Sequence, residues 1–271
     1  MYARPLSGGV GSGPVRVEAV ATEDALELRV RGQPFAVLLR TPGRERDLIA
    51  GFLASEGVLQ SAEDLGAIEP CPQPATAEPG SQAWNVALTE GLAFDAARAR
   101  PSAVGSSCGL CGTRLIEDLQ RKLPRRSGPP APSPTLAALQ QAFAELRLRQ
   151  ATFQLTAGTH GAGLAELTVD GGLRLLDAAE DVGRHNAVDK VLGAQLRAGN
   201  WPLEQPHLLL ISGRISYEII HKCALAGIAG VAGVGMPTSL AVRAARAAGL
   251  RLFGFVREAG GLAYAPEPSS D

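Results

Sequence analysis

The second half of the chain alternates short apolar runs with helical patterns, and this alternation restricts the fold more than any other feature. Short apolar runs predict strands at residues 153–156, 164–169, 173–178, 208–212, 230–234 and 250–256. Helical spacing of apolar residues predicts helices at 136–148, 187–197, 217–226 and 239–248. Such short apolar strands between helices are typical of a sheet that helices cover, so we predict an α/β (α+β) fold.

The first hundred residues have a different pattern, which is dominated by strands. Alternating apolar residues predict a meander over 15–40 and further strands at 84–88 and 92–94, with a helix at 46–57 that a glycine ends and a shorter helix from Ser61. A proline-rich stretch, 124–134, separates the two patterns. We therefore predict a flexible N-terminus (1–13), a smaller β-rich domain (14–123), a linker (124–134) and an α/β domain (135–271).

Composition and charge exclude several classes of protein. The chain has 271 residues, of which 45% are hydrophobic and 20% charged, and a formal net charge of -1, so it has no overall attraction for nucleic acid or for a membrane surface. Its N-terminus lacks the apolar core of a signal peptide, and no apolar run approaches the ~18 residues that span a bilayer. We expect a cytoplasmic protein that binds neither nucleic acid nor membrane.

Two cysteines, Cys108 and Cys111, are separated by two residues in a glycine-rich loop, Ser-Cys-Gly-Leu-Cys-Gly. Such a pair can share a metal ion, form a disulfide or pass a sulfur atom from one to the other. A helix predicted at about 113–123 places both cysteines at its N-terminus, where free N–H groups and the helix dipole stabilise a thiolate. Of the other cysteines, Cys223 is expected in the core, and no role is assigned to Cys71.

The spacing of potential ligands argues against two of these chemistries. A structural zinc site usually has four ligands in paired spacing, and this single C-x-x-C has no partner pair; no histidine belongs to the His-x-Glu motif of a zinc deaminase. We therefore expect no metal. A thioredoxin-like site would follow a βαβ unit, whereas a β-rich unit and a glycine-serine loop precede this motif. Transfer of a sulfur atom by the two cysteines is therefore the favoured hypothesis.

Three polar segments fall where a strand or loop leads into a helix or turn, at 180–186, 212–218 and 254–260. Side chains at such positions commonly contact anions and nucleotides, and the candidates are Arg184, His185, Ser212 and Arg214. Helix caps, salt bridges and ordinary turns would explain the same residues. His160, in a glycine-flanked bend, is a further candidate, whereas His207 is expected at the surface, and His221 packs or faces solvent.

Taken together, the motifs resemble the FdhD family of formate dehydrogenase accessory sulfurtransferases. The matching segments, in order, are Gly-Phe-Leu with Ser-Glu-Gly at 51–57, the C-x-x-C loop, Gly-Thr-His at 158–160, Asp-Val-Gly-Arg-His-Asn-Ala-Val-Asp-Lys at 181–190, Ser-Gly-Arg with Ser-Tyr-Glu at 212–218, and Gly-Phe at 254–255. Each motif alone is weak, but their order and spacing are specific and extend over nearly the whole chain.

This resemblance implies a sulfurtransferase that accepts persulfide sulfur from a cysteine desulfurase. The sulfur is passed to the molybdenum or tungsten bis-pterin guanine dinucleotide cofactor (Mo-bis-MGD when the metal is molybdenum) that formate dehydrogenase requires. By motif position, Cys108 carries the persulfide and Cys111 is its partner. The resemblance also implies a homodimer and a cytidine-deaminase-like C-terminal domain without the zinc site.

The family's cofactor contact maps onto the segment Phe255, Val256, Arg257, Glu258, Ala259 and Gly260. Glu258-Ala259 stands where relatives can have Pro-Gly, which is a departure from the family pattern. Two alternatives stay open: a cofactor-binding chaperone that performs no sulfur transfer, and a thiol-disulfide oxidoreductase.

Overall fold

The structure is a computed structural model that describes residues 1–3, 16–72, 80–94, 100–104, 123–126 and 132–265. The C-x-x-C loop, the helix predicted after it and residues 127–131 of the predicted linker lie outside this range, so the predictions for them stay predictions. The described residues form two large mixed sheets, a two-stranded ribbon of β1 (Tyr2–Ala3) and β2 (Arg16–Val17), and six α-helices. The predicted mixed α/β class is thereby confirmed.

The first large sheet contains the later strands of the predicted meander and the strand predicted at 84–88, together with two strands, 65–70 and 100–104, that were not predicted. It consists of β3 (Asp24–Val30), β4 (Gln33–Arg40), β5 (Leu65–Pro70), β6 (Gln82–Leu88) and β7 (Arg100–Val104), in the order β5-β6-β3-β4-β7. A two-residue turn joins β3 to β4, and its residues Arg31 and Gly32 have φ values of 50° and 79°. A two-residue hairpin turn with positive φ at both positions matches the right-handed twist of the flanking strands. Glycine adopts positive φ without strain, which explains its presence at position 32.

Helix α1 (Glu45–Ser55) packs on this sheet through Leu48, Ile49, Phe52 and Leu53. It ends as predicted, because Gly57 takes a φ of 71° and donates its N–H to the carbonyl of Ala54 at 3.0 Å. The shorter helix predicted after it is a single 3₁₀ turn, Ala62–Asp64.

The second large sheet is built from the strands of the C-terminal half. These are β8 (His160–Leu167), β9 (Leu173–Asp181), β10 (His207–Ile211), β11 (Gly230–Gly233), β12 (Arg251–Arg257) and β13 (Gly260–Ala265), in the order β13-β12-β11-β10-β8-β9. Strands β10, β11 and β12 are parallel, whereas β8 runs antiparallel to both β9 and β10. The carboxyl ends of β9, β10, β11 and β12 therefore lie at the same edge of the sheet, where β8 begins.

Helices cover both faces of this sheet. On one face, α4 (Arg184–Arg197), α5 (Tyr217–Leu225) and α6 (Ser239–Ala248) pack against Leu209 and Ile211 of β10. On the other face, α2 (Leu136–Leu148) packs against Leu208 and Leu210. All five residues of β10 are buried, as its continuous apolar run predicts. No helix in the described ranges combines the length and apolarity that crossing a membrane requires.

The two sheets are joined through the close crossing of α1 and α4. A Cβ atom added to Gly51 would overlap the backbone of Asp189, and one added to Gly193 would overlap the backbone of Asp47. Glycine at both positions therefore lets the two helix backbones touch. The predicted linker falls between the residues of the two sheets, and the division into domains stays a prediction.

Several local predictions were wrong. Residues 153–156 belong to helix α3 (Ala151–Thr156), because the Glu180 carboxylate accepts hydrogen bonds from two N–H groups in its first turn. Strand β13 was not predicted, and residues 92–94 form no strand. His207 is buried rather than at the surface, and its Nδ1 lies 2.8 Å from the carbonyl oxygen of Gln205. His160 begins a strand instead of lying in a bend.

Candidate functional site

The candidate site lies at the edge of the second sheet where strands β9 to β12 end and β8 begins. Four of the five predicted binding residues outside the 255–260 segment follow these strands, two in the loop after β10 and two in the first turn of α4, and the fifth, His160, is the first residue of β8. In sheets of this kind, ligands bind at the edge formed by the carboxyl ends of the strands. The topology therefore brings together residues that are up to 54 positions apart in the sequence, from His160 to Arg214.

The loop after β10 is fixed by hydrogen bonds to the start of β8. The hydroxyl of Ser212 accepts a hydrogen bond from the N–H of Gly161 at 2.8 Å, and the Ser212 N–H donates to the Gly161 carbonyl at 2.9 Å. Among the described residues the hydroxyl hydrogen of Ser212 has no acceptor, so Ser212 can donate it to a ligand. A Cβ atom at Gly213 would lie 3.3 Å from Nδ1 of His160, so glycine keeps this loop close to the imidazole.

Glycines also bring the loops after β10 and β11 close to each other and to the last residues of β12. Gly235 donates its N–H to the Gly213 carbonyl at 3.2 Å, and the Gly235 carbonyl accepts from the N–H of Phe255 at 3.1 Å. A Cβ atom at Gly235 would lie 2.8 Å from the Gly213 carbonyl oxygen. The edge is therefore lined by backbone that a ligand can approach closely.

Positive charge is concentrated around His160. Burial lowers the pKa of its imidazole, and the neighbouring positive groups, Arg184 first and Arg214 among them, lower it further. Near neutral pH His160 is therefore an uncharged donor and acceptor under the influence of two guanidinium groups. Arg214 is exposed, whereas Nε of Arg184 is buried and has no hydrogen-bond partner among the described residues. Two arginines beside exposed backbone suit phosphate or carboxylate groups.

Much of the polar segment 181–190 has a structural role. The fully buried Asp181 accepts hydrogen bonds from the N–H of Gly183 (2.9 Å) and the side-chain amide of Asn186 (3.0 Å), and its other oxygen lies 2.8 Å from Nζ of Lys190. The N–H of Thr41 also donates to Asp181, at 3.1 Å. This network fixes the start of α4 against the first sheet, as the cap-and-salt-bridge interpretation anticipates. Arg184 and His185 take no part in this network and remain candidates for ligand contact.

His185 makes a contact that we did not predict from the sequence. Its Nε2 atom lies 2.9 Å from Oε2 of Glu218, which is in the first turn of α5, and the two side chains are only 11% and 15% exposed. Glu218 stood inside a recognised motif but was not a site candidate. It could have been identified from the sequence, because it lies in the first turn of a helix that follows a strand ending at this edge.

The segment 255–260 divides between the edge and the hairpin that joins β12 to β13. Phe255 lies at the edge with a φ of 56°, is 40% exposed, and has the Arg257 guanidinium 4.0 Å from its ring centroid. Left-handed backbone at an aromatic residue is strained and is found mainly at functional sites. The structure thus presents Phe255 and Arg257 as one stacked unit.

The remaining residues of this segment are placed differently. The Val256 side chain is buried in the core beside α2, and the carbonyls of Arg257 and Glu258 accept hydrogen bonds from the Gln140 side chain. Glu258 and Ala259 form the hairpin turn, and Gly260 pairs with Arg257 across it. These residues are not brought beside His160.

Met236 is a site residue that sequence reasoning missed. It is 46% exposed in the loop after β11, and its sulfur accepts a hydrogen bond from the Tyr264 hydroxyl at 3.4 Å. This loop lies between the loop that carries Arg214 and the end of β12 that carries Phe255. Cys108 and Cys111 lie outside the described residues. Within the described ranges, no group of three or more His, Cys, Asp or Glu side chains is arranged to hold a metal ion.

Comparison with known proteins gives a consistent result. The FdhD/NarQ family model matches residues 21–269. The sulfur carrier protein FdhD of Anaeromyxobacter dehalogenans is 42% identical over 255 residues, which cover 90% of this chain and 85% of that protein. The protein of the same name from Nocardia farcinica is 41% identical over 244 residues, covering 89% and 84%.

A solved structure supports the fold. The crystal structure of a Desulfotalea psychrophila protein assigned as a formate dehydrogenase accessory protein matches with a TM-score of 0.75, at 22% identity, over 98% of this chain and 97% of that one. At this identity the likeness concerns the fold alone, whereas the family model and the curated relatives extend over most of the sequence. The chain belongs to the FdhD/NarQ family.

Proposed function

We propose that this protein is a sulfurtransferase of formate dehydrogenase maturation. It takes persulfide sulfur from a cysteine desulfurase onto Cys108 and passes it to the molybdenum or tungsten bis-pterin guanine dinucleotide cofactor. Curated relatives of about the same length are named sulfur carrier proteins, and this chain has a C-x-x-C pair of the kind that can relay sulfur.

The observation that carries the proposal is the positive charge of Arg184 and Arg214 beside the uncharged His160 at this edge. The acceptor is a dinucleotide with pyrophosphate groups, and guanidinium pairs beside close-approach backbone are a common means of holding phosphate. The exposed Phe255 ring with its stacked Arg257 offers a flat surface for a base. We assign the acceptor to this edge.

The cysteines divide the chemistry between them. Cys108, at the start of the predicted helix, attacks the desulfurase persulfide as a thiolate and keeps the terminal sulfur. Cys111 then serves as its partner in release. Cys223 cannot take this role, because it is fully buried and burial raises the pKa of its thiol well above the ordinary value.

Sulfur loading is tested by intact-protein mass spectrometry after incubation with a cysteine desulfurase and cysteine. The native chain is expected to gain a sulfur-sized adduct that reductant removes, and Cys108→Ala is expected to lose it. Cys71→Ala is the matched control, since Cys71 is a partly exposed free cysteine and its replacement should leave loading unchanged. An adduct that persists in Cys108→Ala would remove Cys108 from the mechanism.

Measuring formate dehydrogenase activity distinguishes the chaperone alternative from the proposed function. Under a pure binding role, a variant with alanine at both Cys108 and Cys111 would still yield active enzyme. Under the proposed function, that variant yields assembled enzyme without sulfido ligand and without activity. Disulfide reductase activity in the native chain would favour the third reading, an oxidoreductase.

Three finer proposals accompany this function. The C-terminal unit has the cytidine-deaminase-like topology, a proposal that rests on its hairpin followed by alternating helices and strands and is tested by superposition on a deaminase. The protein works as a homodimer, which sedimentation would test. It acts in the cytoplasm, where reducing conditions keep its thiols available.

A further inference from the structure

His185 and Glu218 form a close pair whose presence is not explained by the binding of the cofactor's phosphate groups. They lie on different helices, α4 and α5, and their 2.9 Å contact is mostly shielded from solvent. A carboxylate close to one ring nitrogen favours one orientation of the imidazole. Nδ1 and Nε2 are both buried, and neither has a hydrogen-bond partner of good geometry among the described residues, so the 2.9 Å approach of Glu218 to Nε2 is a close electrostatic contact.

Two more uncommitted polar atoms lie at the first turns of the same two helices. They are Nε of Arg184 in α4 and the hydroxyl of Ser216, the residue before α5, and both are buried without a partner in the part of the chain that the structure describes. A buried polar atom without a partner costs stability and is found where a ligand completes the bonding. His185 therefore lies near two further polar side chains with which a bound molecule can form hydrogen bonds.

The other histidines lie in different surroundings. Burial lowers the pKa of His221 to about 4, and burial with neighbouring positive charge lowers that of His160. His207 lies at the start of β10, at the opposite edge of the sheet. Around His185 the charged and titratable groups are Arg184, Glu218, Asp189 and His160.

We propose that His185 transfers the proton that sulfur delivery requires, and that Glu218 is the positioning residue that orients it. This inference rests on the proposed function and adds a proton pathway to it. The acceptor is taken to be a metal centre with an oxo ligand, which has to leave when sulfur arrives.

The step balances without a further reactant. The terminal sulfur of the Cys108 persulfide bonds to the metal, and the Cys111 thiolate attacks the Cys108 sulfur, which breaks the sulfur–sulfur bond of the persulfide and forms a Cys108–Cys111 disulfide. The two cysteine sulfurs give up the two electrons that reduce the transferred sulfur to sulfide. The protons of the persulfide and the Cys111 thiol leave with the oxo oxygen as water, and His185 carries a proton to that oxygen.

The test separates loading, acceptor binding and transfer. Native protein, Glu218→Gln, Glu218→Asp and His185→Gln are loaded with sulfur, titrated with guanosine diphosphate, and mixed with excess oxo-form cofactor in single-turnover experiments between about pH 5 and 8. Glu145→Gln is the control, since Glu145 forms an exposed pair with Arg149 on α2. Mass spectrometry follows loss of persulfide and appearance of the disulfide.

We expect Glu218→Gln to load and to bind the nucleotide like native protein but to transfer sulfur about 100-fold more slowly, with an altered pH profile. Glu218→Asp is expected to recover part of the rate. A native rate and pH profile in Glu218→Gln would overturn the inference, as would weaker nucleotide binding with an unchanged rate at saturating acceptor. If the native protein neither loads nor transfers sulfur, the proposed function itself fails. Should Glu218→Gln not fold, the Glu218→Asp rate decides in the same way.

Discussion

Replacing Lys222 with methionine tests the buried contact that joins α4, α5 and α1. The Lys222 ammonium group lies 2.7 and 2.8 Å from the two carboxylate oxygens of Asp189. The single hydrogen of the Ser55 hydroxyl is shared between the same carboxylate at 3.0 Å and the Gly51 carbonyl at 2.7 Å. Asp189 is 1% exposed and Lys222 8%. In Lys222→Met the carboxylate would be left buried with at most the shared Ser55 hydrogen bond, so the free energy of unfolding should fall by about 3 to 5 kcal/mol.

Denaturant unfolding monitored by circular dichroism measures this loss. The double variant Asp189→Leu/Lys222→Met is the matched comparison and should recover most of it, because an apolar pair of similar volume leaves no buried charge. A loss below about 1 kcal/mol in Lys222→Met, the range of an exposed salt bridge, would refute the reasoning.

The pH dependence of Lys222→Met has a defined sign. Burial raises the pKa of Asp189, and the variant lacks the Lys222 charge that opposes this shift. A carboxyl group with a raised pKa in the folded state binds a proton that the unfolded chain has released. Stability of the variant should therefore fall as pH rises from the ordinary carboxyl pKa of about 4 through the raised value, and the loss should shrink in acid.

Three further predictions concern the helix crossing and the site. Gly51→Ala should destabilise the fold by about 1 to 3 kcal/mol or more, measured by denaturant unfolding, because its Cβ would overlap backbone of α4. Arg214→Ala should weaken guanosine diphosphate binding at least several-fold by calorimetry while sulfur loading is retained; Arg174→Ala, at an exposed pair on β9, is the control, and equal affinity in both variants would remove Arg214 from the site. Arg184→Gln should raise the pKa of His160 in an NMR titration, since a positive neighbour is lost, and an unchanged pKa would contradict the charge cluster described here.

The fold was predictable where a single pattern dominates. Strand β10 has only apolar residues at its centre and is buried on both faces, and α1 ends at a glycine with positive φ. Helix α3 was not predictable in this way, because a carboxylate from β9, at Glu180, caps its first turn. A contact between residues that are 27 and 28 positions apart leaves no periodic signal in either segment.

The site was predictable in outline for a similar reason. Arg184, Ser212 and Arg214 follow or precede regular elements at one edge, so their proximity follows from strand order. The Glu218 contact with His185 depends on how α4 and α5 lie side by side, which strand order alone does not determine. Met236 was missed because a single apolar residue in a loop has no distinctive pattern.

The most direct test of the central claim follows the sulfur atom itself. Radiolabelled cysteine, a cysteine desulfurase, the protein and unsulfurated cofactor are incubated together, and the cofactor is then separated and counted. We predict label on the cofactor with native protein and none with Cys108→Ala. Label on the cofactor at equal levels in both samples, or label that stays on the native protein when cofactor is in excess, would contradict the account.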